Sequence, residues 1–553
     1  MELQIAEVIH LNIYLLGLLI LILALIIIAS QMKNSKINRF MASVPGPVSF
    51  PLIGSAFHLI NLDSTTLPDF LRKQLRHYPR IAGYWAAGKA YVYTGDRKIL
   101  NTIFCSIQNT HKPTHYALFH DLGDGIFSSN GAEWRQTRKQ INPSFRTEIL
   151  QTFSDSFSYH TKVFLDNLQQ NANTGSCVDL FTHLHTCTFD LVFENMLGYR
   201  MDLQRKKLTY LSKDFTEAAK MTFDRLFNPL FWSPWTYYIS GKQNKLDRVA
   251  RSLRNATKNI IDIHMERRSK NEKNSDLGNS SRFMDILLNN IETKHMSVEK
   301  AAEEAADLSI GGSITTSMTV AWALKIMAIR PEIQNTAYQE VMEVSEGKEI
   351  MMHDLSKLSY LESVVKETLR HYTVPMVGRD IVEDIQLDEN EILPAGVQVI
   401  LALFCLHHNP ELWEKPGAFY PEHFSPENEA KRPKGSFLPF LTGPRSCPGQ
   451  SYAMQSMKCL LANALLRYKF SSDETLPEDV MDGDYSLLYM LFPKSGFHVR
   501  VENRSASKTR TEDQDCSILE KKSLPHFTRK HLESSQPHFE TIFENDALRL
   551  RSV

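Results

Sequence analysis

The stretch FLPFLTGPRSCPGQ, residues 437–450, constrains the fold more than any other part of the chain. Six of its fourteen residues are Gly, Pro or Cys, so the backbone is stiff and tightly bent, while Phe and Leu make its surroundings apolar. Its key residues follow the spacing F-x-x-G-x-R-x-C-x-G, as Phe440, Gly443, Arg445, Cys447 and Gly449. Loop amides and a helix beginning near Gln450 would stabilise a thiolate. The loop therefore predicts a rigid cradle for one reactive sulfur, with an arginine beside it for a carboxylate.

The other cysteines indicate no second cluster of this kind. There are seven in all, an odd number with no C-x-x-C pair: Cys105, Cys177, Cys187, Cys405, Cys447, Cys459 and Cys516. A disulfide framework and a zinc cluster are therefore disfavoured, and reduced thiols facing the cytosol are expected. The net charge of −1 gives no bulk electrostatic reason to expect a nucleic-acid partner.

The N-terminus predicts a single membrane anchor. Residues 11–29, LNIYLLGLLILILALIIIA, are nearly all apolar and long enough to span a bilayer as a helix. Glu2 and Glu7 precede this segment, and basic residues follow it from Lys33 onward. Because basic flanks stay on the cytoplasmic side, residues 33–553 are expected to face the cytosol. A cleaved signal peptide is disfavoured, since its basic residues would come before the apolar run.

Along the rest of the chain, the patterns predict a mainly α-helical body with small β-sheets. Four regions are expected: residues 1–32 as the lumenal N-terminus and anchor, 33–65 as a basic stop and proline-rich hinge, 66–502 as the catalytic body, and 503–553 as a polar, weakly ordered tail. Helical periodicity is clearest at 131–141, 184–197, 246–269, 297–329 and 355–371, and β-rich pieces occur at 81–95, 377–400 and 486–501. The aromatic stretch 223–238 suits either the core or a membrane-facing, substrate-entry surface.

Three further motifs occur in a fixed order with the cysteine loop. Trp134 and Arg138 form W-x-x-x-R in GAEWRQTRKQ, Glu367 and Arg370 form E-x-x-R in KETLRHY, and Arg379 follows in PMVGRD. Together these motifs make residues 44–500 resemble a cytochrome P-450, a haem-thiolate monooxygenase. The resemblance is strongest to the microsomal fatty-acid ω-hydroxylase branch and its arthropod relatives.

The resemblance implies a role for each motif residue. Cys447 would ligate the iron of a non-covalently held haem b, with Phe440 shielding the sulfur and Gly443 and Gly449 allowing close approach. Gly312 and Thr315 would lie on the oxygen side, with Thr315 as the hydroxyl there. The haem propionates would be held by four residues, Trp134, Arg138, Arg379 and Arg445. Glu367, Arg370 and His423 would lock the segment beneath the haem.

The chain departs from the family pattern at three positions. In GGSITT, residues 311–316, Ile314 replaces the acid that relays protons with the following threonine. Gly311 stands where many relatives carry the glutamate that esterifies the haem, which is why a non-covalent haem is expected. His423 replaces an arginine in PEHF, residues 421–424, and offers Glu367 fewer donors, so a looser network is expected.

The expected function is hydroxylation or epoxidation of a lipophilic substrate, such as a fatty acid, terpenoid, hormone or xenobiotic. The enzyme would sit in the endoplasmic reticulum membrane and receive electrons from NADPH–cytochrome reductase, with cytochrome b5 as a further candidate partner. Lys431, Arg432 and Lys434 are candidate docking charges. Two alternatives stay open, an isomerase or dehydratase of lipid peroxides that needs no reductase, and a weakly active haem-binding protein.

Overall fold

The computed structural model describes residues 14–24, 35–50, 54–59, 62–86, 88–270 and 283–504. Within these residues the body is mainly helical. The helices are α1 Tyr14–Ala24, α2 Ser35–Ser43, α3 Leu67–His77, α4 Arg97–Cys105, α5 Gly131–Ile141, α6 Thr147–Gln151, α7 Ser154–Thr174, α8 Leu180–Leu197, α9 Tyr210–Phe227, α10 Pro234–Ile239, α11 Lys242–Ser269, α12 Phe283–Glu292, α13 Val298–Ile329, α14 Pro331–Ser345, α15 Ser359–Tyr372, α16 Leu403–His407, α17 Pro426–Lys431 and α18 Gln450–Arg467.

Short strands form four small sheets among the described residues. The strands are β1 Ile81–Ala86, β2 Lys89–Thr94, β3 Cys177–Asp179, β4 Val377–Asp380, β5 Ile385–Asp388, β6 Glu391–Leu393, β7 Gln398–Leu401, β8 Tyr468–Ser471, β9 Tyr485–Leu488, β10 Met490–Pro493 and β11 His498–Asn503. The largest sheet has the order β1-β2-β7-β4, in which only β2 and β7 pair in parallel. The others are β10-β9, β3-β11-β8 and β5-β6.

Helix α13 lies at the centre of the body and positions the site. Its N-cap Ser297 accepts a hydrogen bond from the Lys300 amide, and most of its side chains are buried on all faces. Helix α8 packs along α13 and approaches closely where the α13 residues are small. There the Thr188 hydroxyl donates to the Ser313 carbonyl at 3.0 Å, and a Cβ on Gly312 would meet Val192 at 3.0 Å. The small residues of α13 therefore serve helix packing as well as the cavity beside them.

The predicted hinge differs from the observed structure. Part of residues 33–65 forms α2, whose Phe40 and Met41 are buried in one apolar cluster with Ile81 of β1. The proline-rich stretch then runs along β1, because the Gly83 amide donates to the Pro45 carbonyl at 2.8 Å. Burial of these apolar side chains fastens the segment to the sheet, so it does not act as a free spacer.

The other predicted elements agree with the structure in type, with one break. The 355–371 prediction covers a 3₁₀ turn, Met352–Lys357, followed by α15, because the chain leaves the helical conformation at Leu358. The polar stretch 271–282 and the tail from 505 onward lie outside the described residues. Helix α1 covers part of the predicted anchor, and the rest of 11–29 is likewise outside them. Among the described helices only α13 is long and apolar enough to span a membrane, and 83% of its apolar window is buried in the protein.

Candidate active site

A cavity of about 420 Å³ lies between the cysteine loop and helix α13. Cys447 and its neighbours border this cavity from the loop, and Gly311, Gly312 and Thr315 border it from the helix. The rest of the lining is largely apolar and aromatic. Two motifs more than a hundred residues apart in the sequence thus face one enclosed, mostly apolar space.

Cys447 is exposed only because it faces the cavity. Burial raises the pKa of its thiol, while the Gly449 backbone N–H and the charge of Arg138 both oppose that increase. Its own amide donates to the Phe440 carbonyl at 2.8 Å, which closes the loop around the sulfur. The backbone N–H of Gly449, the residue that precedes α18, can therefore stabilise a Cys447 thiolate as the sequence predicted.

The two loop glycines act differently. Gly443 has φ +76°, and a Cβ there would lie 2.1 Å from the Phe104 carbonyl oxygen, so no other residue fits without moving α4. Gly449 has φ −88°, and its Cβ would meet nothing nearer than the Phe145 ring at 3.7 Å. The loop therefore needs glycine at 443 for its conformation, while Gly449 contributes mainly its amide.

The predicted arginines lie around one end of the cavity. Arg138 lines it and donates to the Ser446 carbonyl at 2.8 Å. Trp134, on the same helix, is buried and also lines the cavity, and the Arg445 guanidinium lies 4.7 Å from its ring centre. Arg379 is buried beside the cavity but does not line it, and its Nη1 donates to the carbonyl of Gly378 at 2.9 Å.

The guanidinium of Arg445 makes more hydrogen bonds to the protein itself than the sequence predicted. Its Nη1 donates to the Thr110 carbonyl at 2.7 Å and to Asn130 Oδ1 at 3.1 Å. Its Nη2 donates to backbone carbonyls of the loop before α5, the shortest bond being 2.6 Å to Ser129. Both Nη groups thus anchor that loop, which leaves Nε and the net charge to act on a ligand.

Lys112 is a fourth cation at this end of the cavity, buried like Arg379 and Arg445, and the sequence carried no signal for it. Its ammonium lines the cavity, 4.5 Å from the Tyr116 ring centre and 5.0 Å from that of Phe127. Burial, together with the charges of Arg379 and Arg445, lowers its pKa well below the usual range. Burial lowers the pKa of Arg379 to about 10. Burial, together with the charges of Arg379 and Arg138, lowers that of Arg445 to about 9.

These four cations fit a ligand that carries carboxylates. Among the described residues, no carboxylate oxygen lies within 4.0 Å of a side-chain nitrogen of Lys112, Arg138, Arg379 or Arg445. Buried charges without counter-ions are costly, so the arrangement is suited to anions supplied by a bound group. A flat group with two carboxylates on one edge and a site for a sulfur ligand matches both the cations and Cys447.

Helix α13 presents small and hydroxyl-bearing residues to the cavity. A Cβ on Gly311 would meet no atom within 4 Å, so that position opens into free space. The Thr315 hydroxyl donates to the Gly311 carbonyl at 2.7 Å, and its lone pairs remain available on the cavity side. Ile314 is fully buried, and the neighbouring Thr316 Oγ1 is buried without a hydrogen-bond partner. The helix thus offers hydroxyls but no acid at position 314.

Glu367 and Arg370 form a fully buried bidentate pair on α15. Arg370 Nε and Nη2 each donate to a carboxylate oxygen of Glu367 at 2.8 Å. The remaining Arg370 donors reach backbone carbonyls of the segment that leads to the cysteine loop: His407, Pro416 and Ala418. Burial acts to raise the pKa of Glu367, but Arg370 and its other donors outweigh this and hold the pKa well below its usual range.

The predicted contact of His423 with this pair is present. His423 Nδ1 lies 3.2 Å from Glu367 Oε1, and its Nε2 is buried with no partner. Sequence reasoning missed two further histidines. His371 Nε2 lies 3.2 Å from the same carboxylate oxygen, and His407 Nε2 accepts the amide of Leu438 at 3.0 Å. His407 therefore connects this network directly to the cysteine loop, which His423 alone would not do.

Comparison with known proteins adds the deciding observation. The pattern of the family described as Cytochrome P450 matches residues 44–499. The chain belongs to the cytochrome P450 family. Similar proteins include cytochrome P450 4c21 of Blattella germanica, 27% identical over 450 residues that cover 79% of this chain and 89% of the relative. Cytochrome P450 4d2 of Drosophila melanogaster is 27% identical over 479 residues, which cover 84% of this chain and 94% of the relative. Human cytochrome P450 4F2 is 31% identical over 370 residues, covering 64% and 71%.

These findings confirm the family and the branch predicted from the sequence. As a cytochrome P450, the protein is a haem-iron monooxygenase, an oxidoreductase that acts on lipophilic substrates with electrons from a redox partner.

The predicted docking charges do not form one free patch. Lys431 pairs with Glu427, and Arg432 lies 4.0 Å from the Trp413 ring centre while it donates to the His423 carbonyl.

Proposed function

We propose that this cytochrome P450 hydroxylates or epoxidises a lipophilic substrate within the cavity, using O₂ and electrons delivered by NADPH–cytochrome reductase. The observation that carries the proposal is the single cavity bordered by both Cys447 and the Gly311–Thr316 face of α13. When bound, a thiolate-ligated haem supplies the activation of O₂ and the cleavage of its O–O bond. The mostly apolar lining favours a lipophilic substrate and excludes bulk water from the reaction.

The cysteine side of the cavity would hold haem b. In this proposal Cys447 would bind the haem iron, the Gly449 amide and Arg138 would favour its thiolate, and Phe440 would cover the sulfur. Arg138, Arg379, Arg445 and Trp134 would hold the two propionates, and Lys112 would join them as a fourth cation. Lys112, Arg379 and Arg445 have pKa values below their usual range and no carboxylate of the described residues in contact, which supports their assignment to the propionates. Gly311 has no carboxylate, so the haem would be held without an ester bond.

On the other side, Gly312 and Thr315 would border the position where oxygen and substrate meet. The Thr315 hydroxyl is oriented by its bond to the Gly311 carbonyl, so it can accept or pass a proton at Oγ1. Ile314 cannot take part, and the orphan Thr316 hydroxyl offers a second polar atom one residue further on. Proton delivery here would thus depend on hydroxyls and water.

Ile314 also supports the second candidate function, an isomerase or dehydratase of lipid peroxides, since such a reaction consumes no protons from a relay. Expression of the full chain in microsomes, with and without reductase, separates the two functions. The proposed monooxygenase shows a red-shifted Soret band in its ferrous carbon-monoxide spectrum and forms product only with NADPH and reductase. Cys447→Ser serves as the control and loses that band. Consumption of a lipid hydroperoxide without NADPH would overturn the monooxygenase in favour of the second candidate.

We also propose that residues 11–29 anchor the enzyme in the endoplasmic reticulum membrane, with the body in the cytosol and cytochrome b5 as a second electron donor. The outward-facing apolar side chains of α1, among them Tyr14 at 74% exposure, support the anchor. Part of the aromatic stretch 223–238 would contact the membrane beside the substrate entrance. Its Trp235 and Tyr238 are 75% and 60% exposed, whereas Phe223 and Trp232 line the cavity.

A further inference from the structure

A second cavity, of about 360 Å³, lies between helices α8 and α9 and the β9–β10 hairpin. It is distinct from the active cavity, the one that Cys447 borders, because Leu487 is the only residue that the two linings share in the described part of the chain. A volume of this size is at the small end of the range for sites that hold one small molecule. The second cavity can therefore bind a ligand while the active cavity is occupied.

The floor of the second cavity is apolar. Phe181, Leu487 and Leu488 line it and are buried. The ring of Phe492 completes this surface and lies 5.3 Å from that of Phe181 between ring centres, in an edge-to-face arrangement. Such a floor favours a hydrocarbon chain, because contact with it removes apolar surface from water.

The rim of the second cavity carries uncompensated positive charge. Lys213 and Lys220 of α9 line the cavity and are exposed, about 10 Å apart along one face of the helix. No carboxylate oxygen of the described residues lies within 4.0 Å of either ammonium nitrogen. Glu217, the acid of the lining, lies between them in the chain and pairs with Lys245 of α11, which offsets its charge. The rim therefore attracts an anion.

Ser64 adds a polar group to the wall of the second cavity. Its Oγ is buried without a hydrogen-bond partner among the described residues. Its backbone is held on both sides, because its amide donates to Asp224 Oδ1 at 3.1 Å and its carbonyl accepts the Leu487 amide at 2.6 Å. A buried hydroxyl without a partner is costly, and a ligand oxygen at this wall would supply one.

The walls of the second cavity also form walls of the active cavity. Leu487 borders both, and Tyr489 and Met490, which follow it in the hairpin, line the active cavity. Helix α9 is shared in the same way, since its Phe223 lines the active cavity one turn after Lys220. A ligand that displaces Leu487 or α9 would therefore change the shape of the active cavity and its affinity for substrate.

We propose that the second cavity is an effector site for a single-chain amphiphilic carboxylate. The carboxylate pairs with Lys213 or Lys220 at the rim, and the hydrocarbon chain lies on the floor formed by Phe181, Leu487 and Leu488. Occupancy of the site alters the affinity of the active cavity through Leu487 and the β9–β10 hairpin. A two-chain anionic lipid is disfavoured, because the volume suits one small molecule.

Three variants of the full chain test the site. Lys213→Gln combined with Lys220→Gln removes the rim charge and leaves the floor intact. Thr216→Phe keeps both lysines and fills the cavity from α9, where Thr216 lies in the lining and is partly exposed. Lys162→Gln combined with Lys348→Gln is the matched control, since these lysines are exposed and line neither cavity.

The binding measurement keeps the active cavity occupied. The haem-loaded full chain in phosphatidylcholine nanodiscs is saturated with clotrimazole, an azole that ligates haem iron. Decanoate and decan-1-ol are then titrated calorimetrically, and the heats measured with protein-free nanodiscs are subtracted. The alcohol has the same chain without the charge, so the comparison isolates the contribution of the rim.

We expect wild type to bind decanoate more tightly than decan-1-ol. The Lys213/Lys220 double variant should lose about fivefold or more in decanoate affinity and less than about twofold in alcohol affinity, the effect of two exposed cations. Thr216→Phe should weaken binding of both probes, and the Lys162/Lys348 control should bind both as wild type does. The site is overturned if wild type does not bind decanoate, if either cavity variant binds it as wild type does, or if the control loses as much affinity.

A second measurement tests the coupling between the cavities. The Kd of clotrimazole, taken from its spectral shift at the haem, is measured with and without saturating decanoate. Decanoate should change this Kd by about threefold or more in wild type and leave it unchanged in Thr216→Phe. An unchanged Kd in wild type overturns the effector role. An equal change in Thr216→Phe also overturns it, because decanoate would then be competing inside the active cavity.

The ferrous carbon-monoxide spectrum of the same samples separates the effector site from the proposed function. A missing red-shifted band in wild type means that the haem-thiolate function itself has failed. A normal band, together with decanoate binding that is the same in wild type and in Thr216→Phe, overturns the effector site alone.

Discussion

Replacing Glu367 by glutamine is expected to destabilise the body by several kilocalories per mole. Glu367 and Arg370 are both 0% exposed, and the carboxylate also accepts the Tyr420 amide at 2.8 Å. Glutamine keeps the shape but leaves the Arg370 charge buried without an anion. Removal of one partner from a buried pair costs about 3–5 kcal/mol. An apolar replacement of both residues would not rescue stability, because three backbone carbonyls would lose the Arg370 donors.

That free energy converts into a measurable shift of the melting temperature. With an unfolding entropy of about 2.1 cal/mol/K per residue over the roughly 440 residues of the body, 66–502, a loss of about 3–5 kcal/mol lowers Tm by about 3–5 °C. Thermal unfolding of the haem-loaded protein, followed by circular dichroism, measures the shift. Haem transfer to an apoglobin acceptor should also be faster, since Arg370 supports the segment that leads to the cysteine loop.

Glu427→Gln is the control for this experiment. Glu427 pairs with Lys431 on the surface, where the two side chains are 78% and 68% exposed, so Tm should not change measurably. If Glu367→Gln shifts Tm no more than Glu427→Gln does, the buried pair is not a principal support of the body, and the reasoning from burial and hydrogen bonding is wrong.

Three further outcomes are expected. Gly443→Ala should abolish haem retention, because the new Cβ would lie 2.1 Å from the Phe104 carbonyl oxygen, whereas Gly449→Ala should retain haem. Soret absorbance measures the haem content of both variants. Equal haem content in the two variants would contradict this prediction. Ile314→Asp should raise the ratio of product formed to NADPH consumed and should lower peroxide release, because it restores an acid beside the hydroxyls. An unchanged or lower ratio would show that the missing acid does not limit coupling. Burial lowers the pKa of His371 to about 4 and that of His407 to about 3 from the ordinary 6.5, so the unfolded chain binds more protons below pH 6.5. Tm should therefore stay constant above pH 6.5 and fall as the pH drops toward 4. The decrease of Tm with pH should be shallower in His371→Gln than in wild type. An equal decrease in both would exclude His371 as a source of the pH dependence.

The sequence by itself determined the features that depend on neighbours in the chain. The 3.6-residue periodicity predicts α5 over its full observed range, and it predicts most of α8, α11 and α13. The loop around Cys447 was equally readable, since a positive φ at Gly443 and a helix start after Gly449 are local properties. The pairing of Glu367 with Arg370 follows from their i, i+3 spacing on one helix face.

Only the tertiary structure decided which distant groups meet. Lys112 lies in a stretch without a recognisable motif, and it borders the cavity because the fold brings it there. Arg445 had a readable motif, yet its Nη donors are taken by carbonyls more than three hundred residues earlier in the chain. The segment before residue 66 reads as a hinge, but burial of Phe40 and Met41 attaches it to the sheet. Local sequence encodes backbone conformation and period, whereas charge compensation and burial depend on contacts between residues far apart in the chain.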